Sequence, residues 1–372
     1  MSEPIRILQC LPSNMGYGGI ETFVMNLYRN IDTKKVQFDF LIHGEGENSF
    51  EEEIKLLGGE IYRVPSIKRY IKYHKQMKKI FLKNSQKYNA IHIHCGYAIP
   101  YFDAKIAKKY GIDNIIVHSH SSNTEFTKRK IVQILLKNKL SKIAKYRLAC
   151  SEEAAKWMFS NKAIEKKQYE IVKNAIDLDK YKFNINTREK IRKELNLEGK
   201  FVIGHIGRLA AAKNHIFLLE VFKKIYQNEK KSVLLLVGDG ELKNEIKAKA
   251  KELNIIDKII FIGKSNNVTN YLQAMDVFVF PSLYEGFGLA VLEAQVSGLQ
   301  CFVSDTITKE IDVAQMVNFI SLEKKPEEWA NIILNSKEYK RENKSDIAKQ
   351  KKYEIAELSK EMEKFYLMIK KG

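Results

Sequence analysis

The chain is poor in the residues that staple or punctuate small folds. It has 4 cysteines, 6 prolines and 2 tryptophans among 372 residues. So little proline excludes collagen-like and proline-rich repeat architectures. Cys10, Cys95, Cys150 and Cys301 lie far apart and form no C-x-x-C pair. That excludes a disulfide scaffold and suggests no zinc site. Three of them end or follow apolar runs, so buried free thiols in a reducing cytoplasm are the simplest account. Long apolar stretches are also lacking. Val233 to Val237 is typical of the longest, far below the roughly 18 residues that span a bilayer. Ile5 to Leu11 is a short run that soon meets Asn14 and Gly16, so no signal peptide is expected. Membrane contact, if made, is expected to be peripheral and from the cytoplasmic side. Acidic residues are outnumbered 45 to 63 by Lys and Arg, for a net charge of +18. An anionic partner fits that balance, as does a lysine-rich background.

What is present is a globular composition, 45 % hydrophobic and 29 % charged, long enough for two domains at roughly 100–200 residues each. Short β-rich runs alternate with helical patterns. The candidate strands are Ile5–Leu11, Val36–His43, Ala90–His94, Ile115–Ser119 and Arg147–Cys150, with helices over Ile20–Arg29, Ile67–Lys83 and Lys130–Lys145 between them. The pattern restarts at Phe201–Ile206, Val233–Val237, Ile259–Ile262, Val277–Phe280 and Cys301–Ser304, with helices over His215–Tyr226 and Gly288–Val296. Such alternation predicts βαβ units and parallel sheets covered on both faces. The fold class is therefore α/β, with two Rossmann-like doubly wound domains meeting near residues 176–198. A charged tail, Ser345 to Lys371, reads as one or two further helices. In such sheets ligands bind beyond the carboxyl ends of the strands, so two domains would face each other there.

Three segments just after strands carry chemistry. Gly16-Tyr17-Gly18-Gly19 opens a helix, where close backbone approach and free N–H groups favour phosphate; an ordinary tight turn explains it equally well. It is not a G-x-G-x-x-G fingerprint, which argues against dinucleotide binding. Arg208, after Gly207, and Lys213, before Asn214-His215, place two cations at a strand end and a helix start, as a diphosphate clamp requires. Glu285-Gly-Phe-Gly-Leu-Ala-Val-Leu-Glu293 follows a strand and opens a helix at Gly288. Carboxylates are poor phosphate neighbours but good acceptors for sugar hydroxyls.

Glu285 and Glu293 form the E-x7-E signature of retaining glycosyltransferases. With Gly207-Arg208, Lys213-Asn214-His215, Gly238-Asp-Gly240 and Phe261-Ile-Gly263, the chain resembles glycosyltransferase family 4, of GT-B fold, and within it the bacterial enzymes of exopolysaccharide and capsule synthesis. The likeness covers nearly the whole chain. It implies an acceptor-binding domain at 1–178, a donor-binding domain at 179–352 and a helix at 353–372 packing back on the first domain. It implies that Arg208 and Lys213 hold the diphosphate, Glu293 the ribose and Glu285 the transferred sugar. Gly286, Phe287, Gly288 and Leu289 would line phosphate and sugar through the backbone. Gly263, Lys264 and Ser265 would border the base, and Gly18 and Gly19 would approach the diphosphate. Two places depart from the family: Ala175 stands where a Gly is common, and Ala210-Ala211-Ala212 precedes Lys213.

Histidines end two strands as i, i+2 pairs, His92 with His94 and His118 with His120. Such pairs point to one face, but no Cys or carboxylate completes a zinc set beside them. Structural, hydrogen-bonded histidines are the plain alternative. The resemblance assigns the sugar to the second pair, His120 before His118. It also implies transfer from a nucleoside diphosphate sugar, UDP-linked by family habit, to a glycan or lipid-linked acceptor. Retention, and no cofactor or metal, belong to the same expectation. Asp177-Leu-Asp179 matches D-x-D only formally. Arg63 to Lys87 holds nine basic residues and Lys128 to Arg147 eight, with no acid in either. Both carry apolar stripes (Ile71, Met77, Ile80, Phe81; Ile131, Ile134, Leu135, Leu140), which suit either an anionic membrane or the core. Two other functions stay open: a nucleotide-sugar epimerase of the same fold, and a basic nucleic-acid-binding protein. The latter leaves the E-x7-E block unexplained.

Overall fold

The structure is a computed structural model and describes residues 3–12, 18–44, 49–96, 98–121 and 128–369. Gly16, Tyr17 and the side chain of Ile131 lie outside the described residues. The chain forms two compact units, Met1–Ile176 with Glu354–Gly372, and Asp177–Tyr353.

Unit 1 is built on a seven-stranded sheet in the order β3-β2-β1-β4-β5-β6-β7. The strands are β1 Ile5–Leu11, β2 Val36–His43, β3 Ile61–Val64, β4 Ala90–Cys95, β5 Ile115–Ser119, β6 Tyr146–Ala149 and β7 Glu170–Ile171. Every pairing is parallel. All carboxyl ends therefore lie along one edge, and the order reverses between β1 and β4, where such sheets open a crevice. The central strands are buried on both faces, as parallel strands covered by helices on both sides are. β3 and β7 have no counterpart in the sequence reading. They are four and two residues long and only partly buried or exposed, too short and polar for a periodic signal.

The helix Ile355–Met368 returns to unit 1. Ile176 and Glu354 form a parallel bridge, and Ile355 N–H donates to Ile176 O at 3.0 Å. Its buried positions, Ile355, Leu358, Ser359, Met362 and Tyr366, follow the helical period. They pack on the helix Gly19–Asn30 and on β1 and β2. Tyr366 is fully buried, edge-on to Phe38 with ring centroids 5.6 Å apart. Each such side chain contributes about 2–3 kcal/mol.

Unit 2 carries a six-stranded parallel sheet, β10-β9-β8-β11-β12-β13. The strands are β8 Phe201–Ile206, β9 Ser232–Val237, β10 Ile259–Gly263, β11 Val277–Phe280, β12 Gln300–Ser304 and β13 Val317–Ile320. Its reversal lies between β8 and β11. Glycines let the loops at this edge interlock. A Cβ on Gly238, at φ +141°, would come 2.0 Å from Gly207 O, and one on Gly240 2.4 Å from Leu209 O. Gly238 N–H instead donates to Gly263 O at 2.9 Å, and Gly207 N–H to Val237 O at 3.0 Å.

Candidate functional site

In unit 2 the site grows from the ends of β8 and β11. After β8 the chain turns through Gly207 and a 3₁₀ segment, Ala211–Lys213, so the three alanines form a tight turn. Asn214 then takes a left-handed conformation, φ 54°, ψ 46°, which Asn tolerates, and the helix His215–Asn228 begins with no side-chain cap. Lys213 folds back over the strand end. A Cβ on Gly207 would lie 3.3 Å from Lys213 Cε, so the missing side chain is what lets the lysine pass. Lys213 Nζ donates to Glu285 Oε1 and sits 4.6 Å from the centre of the Phe280 ring. Both partners are mostly buried, with side chains 18 % and 14 % exposed. Ala212 O also accepts from Leu283 N–H at 2.8 Å, tying this turn to the loop after β11.

That loop ends in Gly286 and Phe287, which bend the chain before Gly288. Phe287 is buried and stacks on Tyr353, so only its backbone is offered outward. Gly288, at φ +86° and ψ 55°, is the N-cap of the helix Leu289–Val296, and no side chain caps it. A side chain is disfavoured at that backbone conformation. The expected helix start at Gly288 is thus one residue later, at Leu289, with its first N–H groups lacking intrahelical partners. Glu293, in this helix, is 7 % exposed. Burial pushes its carboxyl up to about 7, against the pull of the Tyr181 hydroxyl and the Lys180 charge. Tyr181 OH donates to Glu293 Oε1 at 2.8 Å.

Arg208 is placed differently from Lys213. Its side chain is 73 % exposed and bonded to Glu241, Nε to Oε2 at 3.2 Å and an Nη at 3.1 Å. Gly263 ends β10 at φ +82° with open space beside it. Lys264 is exposed, and Ser265 Oγ accepts from Asn267 N–H at 3.0 Å. Asp177 caps the helix Leu178–Tyr181, accepting from Lys180 N–H at 2.9 Å, a structural use of the formal D-x-D. Sequence reasoning missed Tyr181 and Glu241. They lie 112 and 33 residues from their partners, and no local spacing signals either.

In unit 1, Gly18 is the extended N-cap of Gly19–Asn30, again with no side-chain cap. The buried Glu21 carboxylate lies against it: a Cβ on Gly18 would be 2.3 Å from Glu21 Oε2. Ala175 is buried and does not need a positive φ, so the family's glycine is dispensable here. The four strand-end histidines gather into one buried stack. Ring centroids are 4.1 Å apart in both pairs, His92–His94 and His118–His120, and Phe23 packs on His94, His118 and His120. Burial pushes His92, His94 and His118 well below the usual imidazole range and His120 down to about 3, so all four are neutral. His94 bonds both His120 and Gln9, and Tyr366 OH lies 2.7 Å from His92 Nδ1. His92, His94 and His118 bring nitrogens within 4.8 Å of one another. The His92 and His94 rings stack 28° apart, and both nitrogens of His94 already have partners, Gln9 and His120. Cys10, His43 and Asp103 form a second such group; there Asp103 accepts from Tyr73 OH at 2.6 Å and pairs with His43 at 3.1 Å.

The basic stretches divide their apolar residues. Met77, Ile80, Phe81 and Leu140 are buried in the core, whereas Ile71, Leu82, Ile134 and Leu135 are 63–82 % exposed. Arg63, Lys72, Lys75 and Lys79 line an open cavity beside the helix Tyr70–Asn84. No helix among the described residues is long and apolar enough to cross a membrane.

Comparison with known proteins bears on these arrangements. The family described as Glycosyltransferase Family 4 matches residues 17–180, and that described as Glycosyl transferases group 1 matches residues 187–353. A putative glycosyltransferase, EpsF of Bacillus subtilis (strain 168), is 33 % identical over 339 residues, covering 89 % of this chain and 88 % of its own. The UDP-Gal:alpha-D-GlcNAc-diphosphoundecaprenol alpha-1,3-galactosyltransferase of Escherichia coli is 33 % identical over 255 residues, 65 % of each chain. Among solved structures, Anabaena Alr3699/HepE in complex with UDP and glucose aligns with a TM-score of 0.79 at 16 % identity, over 97 % of this chain and 99 % of that one. The sucrose-phosphate synthase of Thermosynechococcus elongatus gives 0.78 at 18 %, over 97 % and 98 %. These two share the fold.

Proposed function

This chain belongs to glycosyltransferase family 4, and we propose that it moves a sugar from a UDP-linked donor to a glycan or lipid-linked acceptor in polysaccharide synthesis, with retention at the anomeric carbon. The observation that carries this reading is the meeting of Lys213 and Glu285 at the ends of β8 and β11, next to the uncapped helix start at Gly288. As the bond to the donor diphosphate breaks, charge develops on the diphosphate. Lys213, Arg208 and the amides at Leu289 stabilise it. On this reading phosphate draws Lys213 off Glu285, and the freed carboxylate turns to a hydroxyl of the transferred sugar. Glu293, steadied by Tyr181, takes the ribose hydroxyls. Gly18 and Gly19 approach the diphosphate, and Gly263, Lys264 and Ser265 border the base. Departure and attack use the same face of the sugar, and no metal is assigned to the step.

UDP is supported by its presence in the Anabaena structure and by the name of the Escherichia coli relative. That name also supports a lipid diphosphate acceptor. The exposed Ile71, Leu82, Ile134 and Leu135 among lysines suit peripheral contact with an anionic membrane. His120, at the rim of the stack, is the histidine assigned to the sugar; His118 is fully buried behind it.

The test is calorimetric titration with UDP, GDP and ADP in EDTA, on wild type and Glu293→Ala. Binding of UDP that weakens at least about tenfold in the variant, near 1.4 kcal/mol, is the expected result. No binding by wild type, or binding only with a divalent metal, overturns the reading.

A further inference from the structure

Unit 1 holds a second buried polar group, which the proposed function does not use. β1 and β2 pair in parallel with Cys10 opposite Leu41. His43, two residues further along β2, therefore shares the face of Cys10. The helices Tyr70–Asn84 and Tyr101–Lys109 bring Tyr73 and Asp103 to the same place. Cys10, Tyr73 and Asp103 are buried, and the His43 side chain is 13 % exposed. His43 Nε2 lies 3.1 Å from Asp103 Oδ1 and 3.9 Å from Cys10 Sγ. Asp103 Oδ1 also accepts from Tyr73 OH at 2.6 Å. The sulfur, the imidazole nitrogen and a carboxylate oxygen all lie within 4.8 Å of one another.

An ion pair accounts for His43 and Asp103 but not for the thiol. A thiol is a weak partner, and among the described residues the one bond of Cys10 Sγ is the long contact with His43 Nε2. The nitrogen held by the carboxylate thus also faces sulfur, and a single hydrogen cannot serve both well. A cation at the common centre serves all three. A tetrahedral zinc ion, with bonds of about 2.3 Å to sulfur and about 2.1 Å to nitrogen and oxygen, would set S···N near ~3.6 Å and N···O near ~3.4 Å. The separations in the structure, 3.9 and 3.1 Å, lie about 0.3 Å to either side of these. The charge balance agrees. A thiolate and a carboxylate together cancel a divalent cation, so the ligated group is neutral and no net charge is buried. The ligand types select the ion. Thiolate and imidazole suit zinc and its neighbours, whereas one carboxylate supplies too few oxygens for calcium or magnesium. Tyr73 steadies the carboxylate from outside, as the partners of metal ligands do.

We propose that Cys10 Sγ, His43 Nε2 and the Asp103 carboxylate bind one divalent transition-metal cation, zinc foremost, with water as the fourth ligand. The thiol hydrogen leaves to solvent as the cation binds, and His43 keeps one ring hydrogen, on Nδ1. The ligands come from two strands and a helix, so the ion ties the carboxyl ends of β1 and β2 to the helix Tyr101–Lys109. Its effect is on the stability of unit 1. No step of sugar transfer runs through it, and the inference does not rest on the transferase reading. The thiolate also gives this group a signature that the imidazoles of His92, His94 and His118 lack.

The experiment strips the full chain with EDTA, removes the chelator under reducing conditions, and titrates with Co²⁺ followed by Zn²⁺. Wild type is expected to take up one equivalent of cobalt with a thiolate-to-cobalt charge-transfer band, and zinc is expected to displace it. Zinc should also raise the melting temperature of wild type and not that of Cys10→Ala. Cys10→Ala is expected to abolish the band. Asp103→Asn should keep the band and weaken cobalt binding at least about tenfold. A wild type that binds no cobalt, or binds it without the charge-transfer band, overturns the inference; the latter would place the ion on imidazoles alone. A band that survives in Cys10→Ala overturns it too, because the sulfur would then be one of the other buried thiols, Cys95, Cys150 or Cys301. Should Cys10→Ala not fold, His43→Phe keeps an aromatic ring and removes the nitrogen: an unchanged cobalt affinity there overturns the inference as well.

Discussion

Unit 1 and unit 2 present the same architecture at their strand ends, a parallel sheet with its order reversed once, yet fill it with opposite chemistry. At the ends of β4 and β5 the polar groups stacked together are imidazoles, buried and neutral, with the Gln9 amide of β1 bonded to them. Around β8 and β11 they are cations and carboxylates, paired and partly exposed: Lys213 with Glu285, Arg208 with Glu241. On the proposed reading the difference follows from what each end would stabilise. A leaving diphosphate gains charge, so its partners must be charged and able to exchange partners. Hydroxyls carry none, and neutral groups can meet them without the cost of burying an ion. One architecture thus carries a charged end and a neutral end by the choice of residues just after the strands.

Several experiments break or sharpen this contrast. The largest effect is expected from Tyr366→Ala, which empties a fully buried aromatic site in unit 1 and cuts the bond to His92. A loss of about 3–5 kcal/mol in denaturant unfolding is expected; a change below 1 kcal/mol would mean that the neutral end does not depend on the returning helix. Lys213→Ala should come next, with kcat down roughly 10²–10³-fold in initial-rate measurements on donor turnover. An equal loss from Lys213→Ala and from a neutral histidine substitution would blur the distinction between the two ends.

Glu293 is the exception inside the charged end, because burial rather than an ion pair governs it. Its carboxyl is raised in the folded chain, so the protonated form is favoured there. The stability it contributes is complete below its ordinary pKa of about 4.5 and is lost as pH rises through about 7. Wild type should therefore lose stability relative to Glu293→Gln between pH 5 and 8, by up to about 3 kcal/mol, in paired thermal melts. Parallel pH profiles for the two proteins would show that the carboxyl is not buried as described. The smallest effect is expected from Tyr181→Phe, about 1 kcal/mol of stability, with weaker nucleotide binding and an apparent Glu293 pKa moved further up. A downward movement would rule out the Tyr181 hydroxyl as its donor.

The charged end was largely legible in the sequence. Gly207-Arg208, Lys213 and the block from Glu285 to Glu293 follow apolar runs directly, and parallel sheets place such residues on one edge. What could not be read was the pairing within it. Nothing local says that Lys213 rests on Glu285, or that Arg208 turns outward to Glu241. The neutral end was legible only as two histidine pairs. Gln9 sits inside an apolar strand like any other strand polar residue, Asn174 is 54 residues past His120, and Tyr366 is 274 residues past His92. Their meeting depends on strand register and on the path of the last helix, neither of which has a period. The short strands β3, β7 and β13 escaped for another reason: half-buried edges of two to four residues carry too little alternation to stand out from loops.

The return of Ile355–Met368 to unit 1 also separates the order of synthesis from the order of completion. Residues up to Ile176 leave the ribosome first, but the face of their sheet that Leu358, Met362 and Tyr366 cover stays open until the whole of unit 2 has been made. During that interval β1 and β2 expose apolar surface that domains folding in sequence would already have hidden. Unit 2, contiguous from Asp177 to Tyr353, can close first, and the unit begun first is sealed last.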